Sequence, residues 1–188
     1  MKRIQMNIQS YITETQETWH KGHIEPFWSK QSITSLDYHR TGPSADQNFI
    51  KWKRQGYIDN PKHLSGELCD MRKPQPKWNT ELIGWFEKNY NVKDVGTAYF
   101  RMPTDTMLPV HSDSFMKYKS LFKCKTSDIL RIILFPMDWS SGHYFEIDGT
   151  PIVNWHAGDY FLWQGNTPHM AANIGIKYRY SIQLTGHK

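Results

Sequence analysis

The sequence predicts a mainly β protein, either a barrel or a sandwich, and two observations lead to this fold class. After Val95, short segments rich in β-branched and aromatic residues follow one another closely and are separated by turn signals. The composition agrees, because eight Trp, ten Tyr and nine Phe supply rings that pack well in a β core. A chain of 188 residues is also long enough for one domain that buries about 70% of its unfolded surface without disulfides.

Eight of these segments are predicted as strands. They are residues 97–102, 108–113, 129–138, 143–147, 151–155, 160–164, 169–174 and 178–185. Asp148-Gly149 separates the fourth strand from the fifth and predicts a hairpin, since this dipeptide tolerates positive φ. We therefore expect a single domain over residues 1–188 with its β core at residues 96–186.

The first 95 residues are polar and rich in turns, and we interpret them as an N-terminal elaboration with helices. Residues 45–54 and 80–90 have helical character. In the second segment Leu82, Trp85 and Phe86 belong to one apolar stripe, and Asn79 or Thr80 is the expected N-cap. This helix is expected to pack on the outside of the barrel.

His111, Asp113 and His169 are candidate metal ligands. Side chains two residues apart on a strand point to the same side, about 7 Å from each other, so His111 and Asp113 converge while Ser112 points away. His169 opens another predicted strand directly after the turn at Pro168. Two imidazoles and one carboxylate bind one face of Fe(II) and leave other positions open, which is typical of non-haem iron oxygenases. The ordinary alternative is a solvent-facing pair on a surface strand.

A candidate carboxylate site follows ten residues after His169. Arg179, Ser181 and Gln183 share one face of the last predicted strand. A guanidinium beside a hydroxyl binds a carboxylate through two hydrogen bonds, so this strand favours an organic acid as ligand. The alternatives are a structural ion pair for Arg179 and ordinary strand positions for the other two residues.

In this order the residues resemble the motif of the Fe(II)- and 2-oxoglutarate-dependent oxygenases: His-x-Asp, a distal His, and Arg-x-Ser about ten residues later. The likeness covers residues 96–186 and is nearest to small prolyl-hydroxylase-like members, including those of bacteriophages. It implies a double-stranded β-helix, which is a jelly-roll or cupin-like fold of eight strands. It also implies that His111, Asp113 and His169 bind iron, and that Arg179 and Ser181 hold the distal carboxylate of 2-oxoglutarate.

Three further residues are candidates for lining the pocket. In the family a tyrosine of the first strand often reaches 2-oxoglutarate, and the resemblance makes Tyr99 the candidate for this role. Arg131 and Trp163 also fall near the expected pocket. Packing in the core or at the rim is the alternative for all three.

The activity implied by the resemblance is hydroxylation of an unactivated C–H bond. Fe(II), 2-oxoglutarate and O2 are the implied cofactor and cosubstrates, ascorbate is a candidate reductant, and succinate and CO2 are the by-products. Asp113 argues against a halogenase, because halogenating relatives have a small residue there. The expected substrate is a peptidyl or free amino acid such as proline, and another small metabolite is the second choice. The alternative is a cupin-like protein that binds a metal or ligand without oxygen chemistry.

Charge and targeting signals restrict the partners. The formal net charge is +5, and Lys117, Lys119, Lys123 and Lys125 fall in segment 114–126, predicted as a long loop that either binds substrate or is solvated. Thr185 stands where nucleic-acid demethylating relatives have a second Arg, so a nucleic acid is not the expected substrate. No segment is long enough to cross a membrane. Two cysteines are too few for a disulfide framework, and the expected compartment is the cytoplasm.

Overall fold

The structure is a computed structural model, and it describes residues 8–40, 47–57, 64, 66–69 and 75–188. In these residues the strands are β1 Ser10–Thr15, β2 Trp19–Ile24, β3 Tyr38–Arg40, β4 Glu67–Cys69, β5 Lys93–Met102, β6 Thr106–His111, β7 Ile129–Leu134, β8 His143–Ile147, β9 Thr150–Ile152, β10 Asp159–Gln164, β11 His169–Asn173 and β12 Arg179–His187. The helices are α1 Lys30–Thr34, α2 Gln47–Arg54, α3 Asn79–Tyr90 and α4 Met116–Phe122, with a 3-10 turn at Thr126–Asp128.

The strands form two antiparallel sheets. The larger sheet has the order β1-β2-β10-β7-β12-β5-β4-β3, and the smaller sheet has the order β6-β11-β8-β9. From β5 onward the chain passes back and forth, because β5, β7, β10 and β12 lie in the larger sheet and β6, β8, β9 and β11 lie in the smaller one. This is the arrangement of a jelly roll, so the predicted mainly β, double-stranded β-helix fold is confirmed.

All eight predicted core strands are present, and four of them end before the predicted residue, β11 by only one position. β6 ends at His111 instead of Asp113, because the chain leaves the sheet there and reaches a left-handed φ of 49° at Phe115. β7 ends at Leu134, shortly before Pro136, which has no N–H to donate to a neighbouring strand. β9 has only three residues.

Both faces of the larger sheet are apolar, and successive side chains along each strand alternate between them. One face packs against the smaller sheet and buries large rings such as Phe135, Phe161 and Trp163 inside the barrel. The opposite face packs against α3 through residues that include Trp85 and Phe86. The helix therefore lies outside the barrel, as predicted.

The N-terminal elaboration contains strands as well as helices, and these strands were not predicted. β1 and β2 form a hairpin that extends the larger sheet beside β10, while β3 and β4 extend its other edge beside β5. Asp159 of β10 ties β2 to the barrel, since its carboxylate lies 2.8 Å from His23 Nδ1 and 3.1 Å from Lys21 Nζ. Of the predicted helix at 45–54, residues 47–54 form α2, and residues 45–46 lie outside the described residues.

Two predicted details of the helices are wrong. Asn79 is the first residue of α3, and the N-cap position is Trp78, which makes no side-chain capping bond. The Oδ1 atom of the buried Asn79 instead accepts a hydrogen bond of 2.8 Å from the Tyr99 hydroxyl. Segment 114–126 is not one long loop, because it contains α4, which Tyr118 docks on the barrel by donating a hydrogen bond of 2.9 Å to Asp94 O. Within the described residues, no helix combines the length and the apolar character needed to cross a membrane.

Candidate metal centre and carboxylate site

The three predicted metal ligands come together where β6 ends and β11 begins. His111 and His169 are opposite each other in the β6–β11 register, and their ring centroids are 4.4 Å apart. Asp113 follows two residues after His111, and its Oδ2 lies 4.0 Å from His169 Nε2. One ligand atom from each residue lies within 4.8 Å of the other two. Because metal–nitrogen and metal–oxygen bonds are about 2.0–2.2 Å long, small side-chain adjustments bring all three onto one ion.

Backbone carbonyls orient both imidazoles for metal binding. His111 Nδ1 lies 2.8 Å from Pro109 O, and His169 Nδ1 lies 3.1 Å from Thr167 O. A carbonyl oxygen only accepts, so in both rings Nδ1 carries the proton and donates it. In this tautomer the ring's lone pair is on Nε2, where a metal ion binds.

The protonation states suit metal binding as well. His169 is 8% exposed, and burial lowers the pKa of its imidazole to about 4. Burial alone raises the pKa of Asp113, but the positive charge of Arg131 and the neighbouring His169 outweigh it and lower this pKa to about 2. At neutral pH these two residues therefore offer a neutral imidazole and a carboxylate, the forms that bind metal ions.

Two tryptophans form walls beside the imidazoles. The Trp163 ring lies 5.1 Å from the ring of His169. Trp52 of α2 is 4% exposed, packs edge-on against His111 at 5.5 Å, and donates a hydrogen bond of 3.3 Å to Val110 O. Sequence reasoning missed Trp52, although an apolar residue in the basic segment 47–54 was a signal that one side of this helix is buried.

Arg179 is a buried cation inside the barrel. It is 2% exposed, and its guanidinium lies 5.1 Å from the Phe135 ring, 5.7 Å from the Phe145 ring and 5.6 Å from the Trp155 ring. Burial lowers the pKa of this guanidinium. Within the described part of the chain no carboxylate pairs with Arg179, and its Nε has no hydrogen-bond partner. The predicted alternative, a structural ion pair, is therefore absent from the described residues.

The interior face of β12 carries the rest of the predicted carboxylate site. Tyr180 and Ile182 point toward α3. Arg179 and Ser181 alternate with them along the strand and therefore point into the barrel, where Ser181 is 3% exposed. A second interior donor, Trp163 Nε1, is also buried without a partner in the described residues. Orphaned donors of this kind are costly, and a ligand oxygen that accepted a hydrogen bond from either donor would offset that cost.

Comparisons with solved structures agree with this architecture. The chain is similar to a prolyl-4-hydroxylase from Pseudomonas putida, with a TM-score of 0.51 and 11% identity over 84% of this chain and 96% of that chain. It is similar to an oxidoreductase of the 2OG-Fe(II) oxygenase family from Burkholderia pseudomallei, with a TM-score of 0.53 and 12% identity over 83% and 75% of the two chains. At this level of identity the likeness shows the fold, which is the double-stranded β-helix that the chain shares with these two proteins.

A third structure with this fold is the non-haem α-ketoglutarate-dependent epimerase SnoN of nogalamycin biosynthesis, with a TM-score of 0.50 and 11% identity over 84% and 80% of the chains. No protein-family model and no curated protein matches the sequence. The predicted resemblance is thus confirmed at the level of the fold.

Tyr99 does not line the barrel interior, so its predicted role in binding 2-oxoglutarate is wrong. Phe100 and Met102 of β5 point into the barrel, so Tyr99 points to the opposite face. There it packs on Trp78 at 5.8 Å and bonds to Asn79. The prediction failed because a shift of one residue along a strand exchanges its two faces.

A cavity of about 660 Å³ borders the barrel away from the metal ligands. Trp28, Trp139, Trp155 and Arg179 are among the residues that line it, and none of the three candidate metal ligands does. Ring contacts connect the two regions inside the barrel, since Phe145 lies beside Arg179 and 6.3 Å from Trp163, which lies beside His169.

Proposed function

We propose that the protein is an Fe(II)- and 2-oxoglutarate-dependent dioxygenase that hydroxylates an unactivated C–H bond. The observation that carries this proposal is the set of His111, Asp113 and His169, with both Nε2 atoms free and the carboxylate ionised. Two histidines and one carboxylate are the ligand set of non-haem Fe(II) oxygenases. When bound, iron, 2-oxoglutarate and O2 supply oxidative decarboxylation to succinate and CO2 and transfer of one oxygen atom to the substrate.

The interior donors fit 2-oxoglutarate. Arg179 has a free Nε and no counter-charge in the described residues, so a carboxylate there gains a charge-assisted hydrogen bond. Ser181 adds a hydroxyl on the same face. The enzyme's own residues thus hold and orient the ligands, and the surrounding rings exclude water from the reacting centre.

The substrate we propose is a peptidyl or free amino acid, with proline as the first candidate. The resemblance to prolyl-hydroxylase-like members motivates this choice, and ascorbate is a candidate reductant. A nucleic acid is less suitable, because Thr185 replaces the second Arg of demethylating relatives and already accepts a hydrogen bond from Arg131.

The alternative is a cupin-like protein that binds an organic acid without oxygen chemistry. The cavity favours it, since Arg179 lines a space that the metal ligands do not reach. The two functions differ in whether 2-oxoglutarate is consumed.

The test is an assay with Fe(II), 2-oxoglutarate, ascorbate and O2, in the presence of proline and of proline-containing peptides. We expect succinate to form and one peptide or amino acid to gain a single oxygen atom by mass spectrometry. His169→Ala should abolish both products. Wild-type protein that binds 2-oxoglutarate but forms no succinate would support the binding protein instead.

A further inference from the structure

Arg131 contacts one candidate metal ligand from the opposite sheet. Its Nε and Nη2 donate hydrogen bonds of 3.0 and 2.8 Å to Oδ2 of Asp113. Its Nη1 donates a hydrogen bond of 2.6 Å to Oγ1 of Thr185 on β12, and the guanidinium lies 5.2 Å from the centre of the Phe115 ring. Every nitrogen of this guanidinium is engaged, so its orientation is fixed.

Asp113 requires such a partner because the sheet does not orient it. β6 ends at His111, and the chain has left the ladder when it reaches Asp113. Backbone carbonyls orient both histidines, whereas the Asp113 side chain has two rotatable bonds and no backbone partner among the described hydrogen bonds. Arg131 is itself well placed, since it stands opposite Thr185 in the register of two central strands.

We propose that Arg131 is a positioning residue of the metal centre. Two hydrogen bonds from Arg131 to Oδ2 hold the Asp113 carboxylate toward His111 and His169, and the hydrogen bond to Thr185 fixes the guanidinium. This inference rests on the proposed function, because it assumes that the three residues bind a metal ion.

A purely electrostatic role for Arg131 would have the opposite sign. A cation beside the site repels a metal ion and makes the carboxylate a weaker ligand, so removing the charge alone would tighten metal binding. Loss of an orienting partner instead weakens metal affinity, typically 10–100-fold. The direction of the change therefore separates the two roles.

Co(II) is a suitable probe, because it reports affinity by titration and coordination geometry by visible absorption. Metal-free wild type, R131Q, R131K and T185V should be titrated with Co(II), without 2-oxoglutarate. We expect affinity to fall about 10–100-fold in R131Q. R131K should also lose affinity and change the spectrum, because lysine keeps the charge without the planar two-donor fork. T185V should show a smaller loss in the same direction.

The matched control is R101Q. Arg101 also pairs with a carboxylate, that of Glu67, at similar burial, but it lies on the opposite face of the larger sheet. The Co(II) affinity of R101Q should equal that of wild type. If R131Q does not fold, as judged by thermal melting without metal, R131K and T185V decide.

Wild-type or tighter Co(II) affinity in R131Q and R131K would overturn the positioning role while leaving the metal centre intact. If wild type bound no Co(II), or if H111A bound it equally well, the metal centre and the proposed function would fail first. The two failures are therefore distinguishable in one set of titrations.

Discussion

His169 stands directly opposite His111 in the register of β11 and β6, with the two ring centroids 4.4 Å apart. Antiparallel pairing brings side chains at opposed positions to the same face at close range. Two of the three candidate metal ligands are therefore placed by the backbone ladder before any metal binds, and the position of the third, Asp113, depends on its contact with Arg131.

Loss of either histidine should remove the metal. His111→Ala and His169→Ala each leave two of three ligands, so we expect stoichiometric iron in wild type and little in both variants after gel filtration. Metal analysis of anaerobically loaded protein measures this. His156→Ala is the control, because His156 has an exposed side chain outside the site. Full iron content in either ligand variant would exclude this centre.

Arg179 should determine the affinity for 2-oxoglutarate. Removing one partner of a buried charge pair costs roughly 2–5 kcal/mol, which corresponds to about 30-fold or more in affinity. We expect a loss of this size in Arg179→Gln and a partial recovery in Arg179→Lys, which keeps the charge. Calorimetry with the metal-loaded protein measures both. Equal affinity in wild type and Arg179→Gln would move the carboxylate elsewhere, with the interior Trp163 as the next candidate.

Asp159 should stabilise the protein in a pH-dependent way. Burial raises its pKa, but hydrogen bonds from His23, the His156 backbone and Lys21 outweigh that and hold it below its ordinary value of 3.8. The folded state therefore favours the ionised form, and this stabilisation is complete above the ordinary pKa and is lost as the pH falls through the lower folded value. We expect Asp159→Asn to cost about 1–3 kcal/mol of unfolding free energy at pH 7.

The difference between wild type and Asp159→Asn should then shrink below about pH 4. Urea denaturation of metal-free protein at pH 7 and pH 3.5 measures it. Glu87→Gln on the exposed side of α3 is the control and should change little at either pH. A difference that stays constant down to pH 3.5 would assign the effect of Asp159 to packing rather than charge.

The lysines around α4 should recruit an acidic substrate. Neutralising Lys117, Lys119, Lys123 and Lys125 to Gln should reduce hydroxylation of a glutamate-rich, proline-containing peptide most strongly at low salt, because exposed charges are screened within about 8–10 Å at physiological ionic strength. Conversion of 2-oxoglutarate to succinate without peptide should be unchanged, since Arg179 is untouched.

The control for that variant neutralises four exposed lysines elsewhere on the surface, Lys77, Lys88, Lys93 and Lys188. It should leave both activities and their salt dependence as in wild type. If the α4 variant loses both activities equally, α4 supports the fold of the site. If the α4 variant keeps both activities, the four lysines are solvated surface charges that do not contact substrate.

The site was predictable where its chemistry is local in sequence. His111 and Asp113 lie two residues apart, and Arg179 lies ten residues after His169, so their spacing and the resemblance to the oxygenase motif together indicated them. Asp113 was expected on the same strand as His111, but β6 ends at His111, and a contact with Arg131 orients the Asp113 carboxylate instead. The role predicted for Tyr99 was wrong because the alternation of side chains along β5 decides which face it lies on. Both faces of this strand carry apolar residues, so the sequence does not show which face is interior.

Other features depend on contacts that sequence patterns do not record. β2 pairs with β10, so His23 meets Asp159 across 136 positions, and no local pattern predicts such pairing. Trp52 reaches His111 in the same long-range way. α4 escaped prediction because it has only seven residues, no side-chain cap bond and left-handed residues, Phe115 and Lys123, at both ends.

The most direct test of whether one site binds the metal and 2-oxoglutarate together is an anaerobic titration of 2-oxoglutarate into wild-type protein with and without bound Fe(II). A shared site should give tight, one-to-one binding with iron and much weaker binding after a chelator removes the iron, and His169→Ala should behave as the metal-free protein. Equal affinity with and without iron would contradict it, because Arg179 would then hold the acid in a separate cavity that the metal does not share.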